Sequence, residues 1–214
     1  MSLTLYEIWK IYEHIIAVRN VNLNVDSGSI VAISGPNGSG KTTLLRILAG
    51  LDPPSKGIVR VFRFKPGSLE ARSITSIMLD KPLLLEELTV SENISFYTKL
   101  LHGRISELAV KAYELLGVGK FKNIRVGMLS HGWKRRVDFI RALLNNPKLL
   151  LIDELTTGFD IDSINIVTKI VVEVAKSGSI AIVTGPSWNH LVPIIPYSTV
   201  KCYMEGGILS CSTH

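Results

Sequence analysis

The amino-acid sequence predicts an α/β fold with a mainly parallel β-sheet and an inserted, largely helical segment. Short runs rich in β-branched residues alternate with segments of helical periodicity, as in parallel α/β proteins. Several of these runs are apolar without alternation, which is typical of strands covered on both faces. From about residue 83 to residue 145 the pattern is nearly all helical, and 214 residues are enough for one domain with such an insertion.

Five segments have the composition of strands. They are short, rich in β-branched residues and bounded by Gly or Asp, which separates them from helical segments. The predicted strands are Ile30–Ser34, Ile58–Phe62, Ile74–Leu79, Leu149–Asp153 and Ile180–Thr184.

Four segments carry helix start and stop signals. One helix is expected to end at Gly50, and a second to open with a Thr89/Glu92 capping box and to end near Gly103. Ser106 is the expected N-cap of the third. The predicted helices are Lys41–Ala49, Val90–Leu101, Glu107–Leu116 and Ser163–Lys176.

Composition excludes several classes of protein. The chain is 46% hydrophobic with a mean hydropathy of +0.29, yet charged residues and Gly interrupt every stretch before about 18 apolar residues, so no membrane span is predicted. The N-terminus lacks the pattern of a signal peptide, so we expect a cytosolic protein. The net charge of +6 would suit nucleic acid, but the only dense basic run is Lys134–Arg136, and no direct nucleic-acid binding is expected.

A glycine-rich segment follows the predicted strand Ile30–Ser34. It reads GPNGSGKTT and precedes a helical pattern, so it matches G-x-x-x-x-G-K-[ST] in the context that this pattern requires. Inward-pointing backbone N–H groups and the helix N-terminus predict a phosphate-binding loop. We expect Lys41 to reach the β- and γ-phosphates and Thr42 to ligate Mg²⁺. The predicted nucleotide-binding residues are Gly35, Pro36, Asn37, Gly38, Ser39, Gly40, Lys41, Thr42 and Thr43.

Two acidic residues end a second apolar run. LLLIDE, residues 149–154, places Asp153 at the carboxyl end of a strand, where α/β sheets bind ligands. Asp153 suits a water-mediated contact to Mg²⁺, and Glu154 suits accepting a proton from an attacking water or orienting it. This pattern is weak alone, but together with Lys41 and the phosphate loop it predicts a triphosphate site that holds Mg²⁺ and positions a water molecule.

Residues 129–160, LSHGWKRRVDFIRALLNNPKLLLIDELTTGFD, resemble the stretch from the signature to the D-loop of ATP-binding cassette (ABC) ATPases. LTVSEN at residues 88–93 and the hairpin at 204–209 are similar to other parts of that family. The resemblance covers nearly the whole chain. It implies a P-loop NTPase fold with N-terminal antiparallel β elements in a single domain, residues 1–214. The α/β core would comprise residues 1–80 and 147–214, and the helical subdomain residues 81–146.

The resemblance also implies a composite site. Tyr12 sits where the family has an aromatic residue that stacks on adenine, and Asp160 is the Asp of the short loop after Asp-Glu. In the family two cassettes pack head to tail, as a homodimer or a heterodimer, so Ser130 and Gly132 would face the γ-phosphate held by the partner. Without the surrounding motifs, an ordinary N-cap is an equally good interpretation of Ser130.

The same resemblance implies a separate membrane permease. The chain would lie in the cytoplasm, peripheral on the inner face of the cell membrane. The expected docking site is residues 80–87, between the core and the helical insertion. Leu83, Leu84 and Leu85 could form the apolar contact, although a buried strand end explains them almost as well.

Three positions depart from the family pattern. The histidine that contacts the γ-phosphate is replaced by Gly185, and His190 is best explained as a surface residue. The Q-loop glutamine is replaced by Asp80, whose carboxylate can still ligate Mg²⁺ or orient water. The signature reads LSHGW, with His131 and Trp133 in place of Gly and Gln. These departures predict normal Mg·ATP binding with slow hydrolysis, or dependence on a better-equipped second cassette.

Two other functions remain open. One is a non-transport ABC ATPase that acts on nucleic acid or ribosomes, which only the basic charge favours. The other is a nucleotide-gated subunit with little catalysis, which only Gly185 favours.

The two cysteines lie in the predicted hairpin. A two-residue turn at Gly206–Gly207 places Cys202 opposite Cys211, with Cα atoms about 4.5 Å apart. This separation permits a disulfide. Because cytosolic thiols are normally reduced, two free thiols are the favoured prediction unless the source is a hyperthermophile.

Overall fold

The computed structural model describes residues 2–100 and 105–213. Its strands and helices alternate through much of the chain, and short 3₁₀ turns connect some of them. In chain order the elements are β1 (Ser2–Tyr12), β2 (Ile15–Asp26), β3 (Ile30–Ser34), α1 (Lys41–Leu48), β4 (Lys56–Val61), α2 (Leu69–Ile74), β5 (Thr75–Met78), α3 (Val90–Leu100), α4 (Glu107–Leu115), α5 (His131–Leu143), β6 (Leu149–Ile152), α6 (Ile161–Lys176), β7 (Ile180–Gly185), β8 (Val200–Glu205) and β9 (Ile208–Thr213).

The central sheet has the strand order β5-β6-β7-β3-β8-β9. Strands β5, β6, β7, β3 and β8 run parallel to one another. Among the described residues, β9 alone runs antiparallel to its neighbour in this sheet, β8. The predicted α/β fold with a mainly parallel sheet is therefore confirmed. β6 ends at Ile152, so Asp153 lies just beyond the strand, and β7 extends to Gly185.

A smaller antiparallel sheet has the order β2-β1-β4 and confirms the predicted N-terminal antiparallel elements. Here β4 is shifted from the prediction, beginning at Lys56 and ending at Val61. Phe62 adopts φ +57°, which breaks the extended backbone.

The helices follow the capping signals. The Thr89 N–H donates to Glu92 Oε2 at 2.8 Å and the Glu92 N–H donates to Thr89 Oγ1 at 3.2 Å, so the capping box is confirmed. Ser106 caps α4, as predicted. Helix α6 begins two residues earlier than predicted because Asp160, not a later residue, caps it. The predicted end near Gly103 lies outside the described residues.

Helix α2 was not predicted. Ser68 caps it through the N–H of Ala71, and the helix includes Ile74, which the sequence pattern assigned to a strand. As a result β5 is shorter than predicted, from Thr75 to Met78.

Two apolar clusters cover the two faces of the central sheet. In β6, Leu150 and Ile152 belong to the cluster beneath α4, α5 and α6, whereas Leu149 and Leu151 belong to the cluster between the sheet and α1. Burial on both faces explains why this strand is apolar without alternation. Within the described part of the chain, no helix is long and apolar enough to cross a membrane.

The β8–β9 hairpin has the predicted register. Glu205 pairs with Ile208, and Cys202 pairs directly with Cys211. The favoured prediction of two free thiols is wrong in this structure, because the two cysteines form a disulfide with Cα atoms 4.0 Å apart. The cause is the register itself, which places the two side chains side by side on neighbouring strands.

Candidate active site

The predicted phosphate loop joins β3 to α1. Two of its glycines have no room for a side chain. A Cβ on Gly35 would lie 2.0 Å from the carbonyl oxygen of Met204, and one on Gly40 would lie 2.2 Å from that of Ala17. Gly40 also adopts φ +106°, a conformation that L-residues rarely adopt. The loop therefore packs tightly between the hairpin and the small sheet.

The first turn of α1 points free N–H groups toward the loop. Gly40 provides no side-chain cap, and no acidic residue lies in the first turn. The unpaired N–H groups and the positive end of the helix dipole are available to an anion.

Lys41 folds back over the loop. It is 6% exposed, and its Nζ donates to the carbonyl oxygens of Gly35 at 2.6 Å and Pro36 at 2.8 Å. A longer contact of 3.3 Å joins it to Ser39 Oγ. Burial lowers the pKa of Lys41, and the carboxylates of Asp153 and Glu154 oppose this effect. The ammonium group therefore lies at the centre of the loop, close to both acids.

Asp153 connects the loop to the central sheet. Its carboxylate is 2% exposed and accepts hydrogen bonds from Thr42 Oγ1 at 2.6 Å and from Thr184 Oγ1 at 2.7 Å. The two predicted metal ligands, Thr42 and Asp153, are thus in direct contact.

Glu154 is held in an unusual backbone conformation. Its φ is +55°, in the left-handed region, and its N–H donates to Thr184 Oγ1 at 3.0 Å. Its side chain accepts a hydrogen bond from Thr157 Oγ1 at 2.7 Å. The hydrogen bond from Thr157 therefore orients the Glu154 carboxylate.

A cavity of about 450 Å³ lies over the loop. Asp80, Asp153 and Glu154 all contribute to its wall, as does the hairpin tip at Gly206 and Gly207. The remaining wall is formed by residues that are near the loop in space or belong to it, namely Ile15, Ile16, Ala17, Asn37, Gly38, Ser39, Gly40, Lys41, Thr42 and Thr43. Residues 37–43 of the predicted loop and the three acidic residues Asp80, Asp153 and Glu154 therefore line the same cavity.

The donor set in this cavity fits Mg²⁺. The Thr42 hydroxyl and the Asp153 carboxylate are hard oxygen donors in contact. Among the described residues, no group of three or more His, Cys, Asp or Glu is arranged to hold a metal by itself. Mg²⁺ usually takes one or two carboxylates plus phosphates and waters, so two protein donors beside a phosphate loop suit it. Asp80 lines the cavity without joining a three-carboxylate cluster.

Tyr12 lies outside this wall. Its phenol donates to Asp52 Oδ2 at 2.9 Å, and the Lys10 ammonium lies 4.8 Å from the ring centre. Burial and then Asp52 raise the pKa of Tyr12, while a hydrogen bond with Thr43 lowers it. The phenol therefore lies near Thr43, the last residue of the loop.

The signature residues lie apart from the cavity. Ser130 is the N-cap residue of α5, but its exposed hydroxyl makes no capping bond. Gly132 packs against the loop that precedes α6, where a Cβ would lie 2.8 Å from the carbonyl oxygen of Gly158. Asp160 caps α6 by accepting from the Ser163 N–H at 2.9 Å. None of Ser130, Gly132 and Asp160 lines the cavity that contains Lys41.

The residues that depart from the family pattern make specific contacts. Trp133 packs on Phe121 with ring centres 4.4 Å apart, and the Arg136 guanidinium lies 4.1 Å from the Trp133 ring. Arg136 also donates to Asp160 Oδ2 at 2.6 Å. The His131 ring lies against Gly158. These contacts tie the start of α5 to the start of α6.

Gly185 is enclosed. A Cβ at this position would lie 2.9 Å from Leu191 Cγ and 3.1 Å from Leu191 Cδ2. His190 is exposed and forms a 2.9 Å hydrogen bond with Ser187 Oγ in its own 3₁₀ turn. It does not line the cavity, which agrees with its interpretation as a surface residue.

The segment at residues 83–85 belongs to no strand. The Leu83 carbonyl accepts from Tyr97 Oη at 2.8 Å, and the Leu85 N–H donates to Asn93 Oδ1 at 2.9 Å. Leu83 and Leu84 pack against the apolar clusters, whereas Leu85 is 39% exposed.

Sequence reasoning missed three residues of the site. Thr184 comes directly after the apolar residues of β7, as Asp153 comes directly after those of β6, and that shared position could have identified it. Thr157 offers no comparable signal. Arg135 lies within the one dense basic run of the sequence, to which the sequence analysis assigned no role in the site, and the structure buries it completely.

Comparisons with known proteins identify similar chains. Residues 18–157 match the family described as ABC transporter. The ABC transporter ATP-binding protein NatA of Bacillus subtilis is 34% identical over 167 residues, which are 75% of this chain and 68% of NatA. The lipoprotein-releasing system ATP-binding protein LolD of Rickettsia bellii is 34% identical over 191 residues, 85% of this chain and 86% of LolD. A sulfate/thiosulfate import ATP-binding protein of Mesostigma viride is 35% identical, but the match spans 45% of it.

Solved structures of ATP-binding cassettes have a fold similar to that of this chain. A dimeric ATP-binding cassette in a post-hydrolysis state, bound to ADP and Pi, has a TM-score of 0.85 and 26% identity, with 99% of this chain and 98% of that chain covered. The ATP-binding subunit of an ABC transporter has a TM-score of 0.88 over 100% of this chain and 90% of that one, and at 22% identity it shows the fold alone.

Proposed function

The chain belongs to the ABC transporter family of ATPases, and from this premise we propose that it is the subunit whose ATP-dependent dimerisation and ATP hydrolysis drive a separate membrane permease. The observation that carries the proposal is the 2.6 Å contact between Thr42 Oγ1 and Asp153 Oδ2. It joins the phosphate loop to the acid after β6 at the edge of one cavity. The chain would lie in the cytoplasm, peripheral on the inner face of the membrane.

The loop would bind the phosphates of ATP. Lys41 would exchange its contacts with the Gly35 and Pro36 carbonyls for the β- and γ-phosphates, while the N–H groups at the start of α1 cradle the same charge. Thr42 and Asp153 would hold Mg²⁺, which neutralises charge on the phosphates when bound. Asp80 is exposed at the cavity wall and would act through a water molecule.

Glu154 would orient and deprotonate the attacking water. Glu154 is part of the cavity wall, and the hydrogen bond from Thr157 fixes one of its carboxylate oxygens. Tyr12 would stack on adenine, since its phenol is held near Thr43 at the end of the loop.

A second cassette would complete the site. Ser130, Gly132 and Asp160 lie outside the cavity of their own chain, and the Ser130 hydroxyl makes no capping bond. These facts support a role toward a nucleotide held by another subunit. The dimeric state of a similar cassette of known structure supports the same proposal. Homodimer and heterodimer are distinguished by mass measurement of the purified complex.

The permease would dock at residues 80–87. Leu85 is partly exposed there, while the Leu85 N–H donates to Asn93 Oδ1 and Tyr97 Oη donates to the Leu83 carbonyl, which holds the segment on α3. Such a segment can transmit force between the helical insertion, residues 81–146, and the core. Co-purification of the chain with a membrane protein, lost in Leu85→Asp and retained in Leu69→Asp, tests this surface, because Leu69 is 81% exposed elsewhere.

Hydrolysis would be slow. Gly185 has no side chain for the γ-phosphate, and Leu191 fills the space beside it. This enclosure also favours a second candidate function, a nucleotide-gated subunit with little catalysis. Steady-state ATPase measurement separates the two, since a low rate that Glu154→Gln abolishes supports slow hydrolysis. A rate near the enzyme median of about 10 s⁻¹ contradicts both.

The Glu154→Gln variant also tests the main proposal. It should bind ATP, hydrolyse none and accumulate as an ATP-bound dimer on size-exclusion chromatography. Equal hydrolysis by the variant and the native protein would show that Glu154 is not the catalytic carboxylate.

A further inference from the structure

Arg135 is a completely buried cation with an unusual set of partners. Its guanidinium donates to four backbone carbonyls, those of Leu79 at 2.5 Å, Glu154 at 2.8 Å, and Asp153 and Thr157 at 3.2 Å. None of the ion pairs formed among the described residues includes it. It therefore binds the backbone of the active site rather than a carboxylate.

Such burial requires compensation. Removing a charged group from water is costly unless its donors are satisfied, and burial lowers the pKa of Arg135 while nearby carboxylates, Asp138 first, oppose that effect. The planar guanidinium offers donors in fixed directions, which four converging carbonyls can accept. An apolar side chain would fill this space without the cost of burying a charge. The four carbonyl contacts are therefore what distinguishes Arg135 from a residue that only fills space.

The carbonyls belong to three segments of the site. Leu79 immediately precedes Asp80, the Asp153–Glu154 peptide follows β6, and Thr157 lies in the turn that follows. Arg135 comes from α5, close to the helix start at Ser130. One side chain therefore fixes α5 to the ends of β5 and β6.

The contact with Arg135 helps to hold the unusual backbone conformation of Glu154. Its left-handed φ of +55° is unfavourable for a residue with a side chain and persists only where neighbours enforce it. The Thr184 hydroxyl holds its N–H, and Arg135 holds its carbonyl. Arg135 also holds the carbonyl of Thr157, whose hydroxyl binds the Glu154 carboxylate.

We infer that Arg135 is a positioning residue for ATP hydrolysis, which fixes the backbone of Glu154 so that its carboxylate faces the phosphate-loop cavity. The inference rests on the proposed role of Glu154. Arg135 itself does not line the cavity and acts only through Glu154.

The test compares Arg135→Gln and Arg135→Lys with a matched control, Arg141→Gln. Arg141 lies on the same helix and also donates to a β5 carbonyl, that of Ile77, but it makes no hydrogen bond to Glu154. For each purified full-length variant, three quantities are measured: the unfolding midpoint, the dissociation constant for Mg·ATP and the steady-state kcat.

We expect kcat to fall about 10- to 100-fold in Arg135→Gln, because a small misplacement of a catalytic group has an effect of this size. The dissociation constant should change by less than about 3-fold. Arg135→Lys should be intermediate, since it keeps the charge but loses the planar donors. In Arg141→Gln, stability should fall while kcat stays within about 2-fold.

A folded Arg135→Gln protein with unchanged kcat, or with ATP affinity lost in parallel, overturns the inference. If that variant does not fold, Arg135→Lys is judged by the same criteria. Arg135→Lys in the Glu154→Gln background should bind Mg·ATP within about 3-fold of Glu154→Gln alone, and a larger loss of affinity would also overturn it. Failure of the proposed function is a separate result, in which Glu154→Gln alone hydrolyses ATP at the native rate.

Discussion

Thr184 and Asp153 lie side by side at the ends of adjacent strands, and the Thr184 hydroxyl donates a hydrogen bond of 2.7 Å to Asp153 Oδ1. The same hydroxyl oxygen accepts the N–H of Glu154 at 3.0 Å. One side chain therefore orients both acids, while Thr42 binds the other Asp153 oxygen.

Replacing this hydroxyl should destabilise the fold. Thr184→Val leaves the Asp153 oxygen and the Glu154 N–H without their partner in a buried site, so the free energy of unfolding should fall by about 1–3 kcal/mol. Urea unfolding measures this loss. Thr184→Ser keeps the hydroxyl and should recover most of it.

Thr168 provides the matched control. It is 5% exposed on α6, and within the described residues its hydroxyl has no hydrogen-bond partner. Thr168→Val should therefore leave stability unchanged or raise it slightly. An equal loss in Thr168→Val and Thr184→Val would mean that the hydrogen bonds of Thr184 contribute nothing specific.

Tyr12 should affect nucleotide affinity through its ring. Tyr12→Ala should weaken ATP binding about 2- to 10-fold, which corresponds to an aromatic stacking contribution of about 0.5–1.5 kcal/mol. Tyr12→Phe keeps the ring but loses the phenol hydrogen bonds with Asp52 and Thr43, and it should bind ATP nearly as the native protein does. Titration with a fluorescent ATP analogue measures both variants, and equal losses would argue against stacking.

The parts of the site that could be predicted have local causes. The glycines and the lysine of the phosphate loop lie within nine consecutive residues, so this one segment of sequence is enough to predict the loop. The Cys202–Cys211 register follows from a two-residue turn, since such a turn fixes the pairing of both strands. Asp153 is predictable because it follows a strand that is buried on both faces.

Other features depend on contacts between distant segments. Arg135 appears in the sequence as one of three consecutive basic residues, and only the packing of α5 against β5 and β6 shows that it is buried. Leu191 fills the space beside Gly185 through a 3₁₀ turn that no periodic pattern indicates. The sequence permits the disulfide, but it does not give the redox environment, and the redox state expected of a cytosolic protein favours free thiols instead.

Adding a side chain at Gly185 should be destabilising because of Leu191. Gly185→Ala places a Cβ 2.9 Å from Leu191 Cγ, and overpacking of this kind costs about 1–3 kcal/mol. In a Leu191→Ala background the obstacle is removed, so the cost of Gly185→Ala should nearly vanish. Thermal or urea unfolding of the four proteins completes the double-mutant cycle. Additive losses would show that Leu191 does not restrict this position.

The disulfide should contribute to stability. Cys202 and Cys211 are 9 residues apart, and closing a loop of this length stabilises a fold by about 2–3 kcal/mol. A reductant should lower the urea midpoint of the native protein accordingly. The Cys202→Ala/Cys211→Ala variant should not respond to the reductant. Thiol titration of the denatured, unreduced protein should find no free thiol, and two free thiols would contradict the structure.

Asp52 should make stability depend on pH in acid. The hydrogen bond from Arg46 lowers the pKa of Asp52 below its ordinary value of 3.8, and the Tyr12 phenol adds to this effect. A lowered folded-state pKa stabilises the protein fully above the unfolded-state value and loses that effect as the pH falls through the folded-state value. Comparison of native protein with Asp52→Asn should therefore give a difference of about 0.5–1 kcal/mol at neutral pH that shrinks below about pH 4.

Asp26 tests whether this pH dependence is specific to the Arg46–Asp52 pair. It is exposed at the end of β2 and forms no ion pair with another described residue. Asp26→Asn removes a carboxylate without such a partner, so comparing the two variants isolates the effect of the Arg46–Asp52 pair. The difference in unfolding free energy between the native protein and Asp52→Asn would contradict the prediction if it stayed constant down to about pH 2. Only a pKa that differs between the folded and unfolded states makes this difference change with pH.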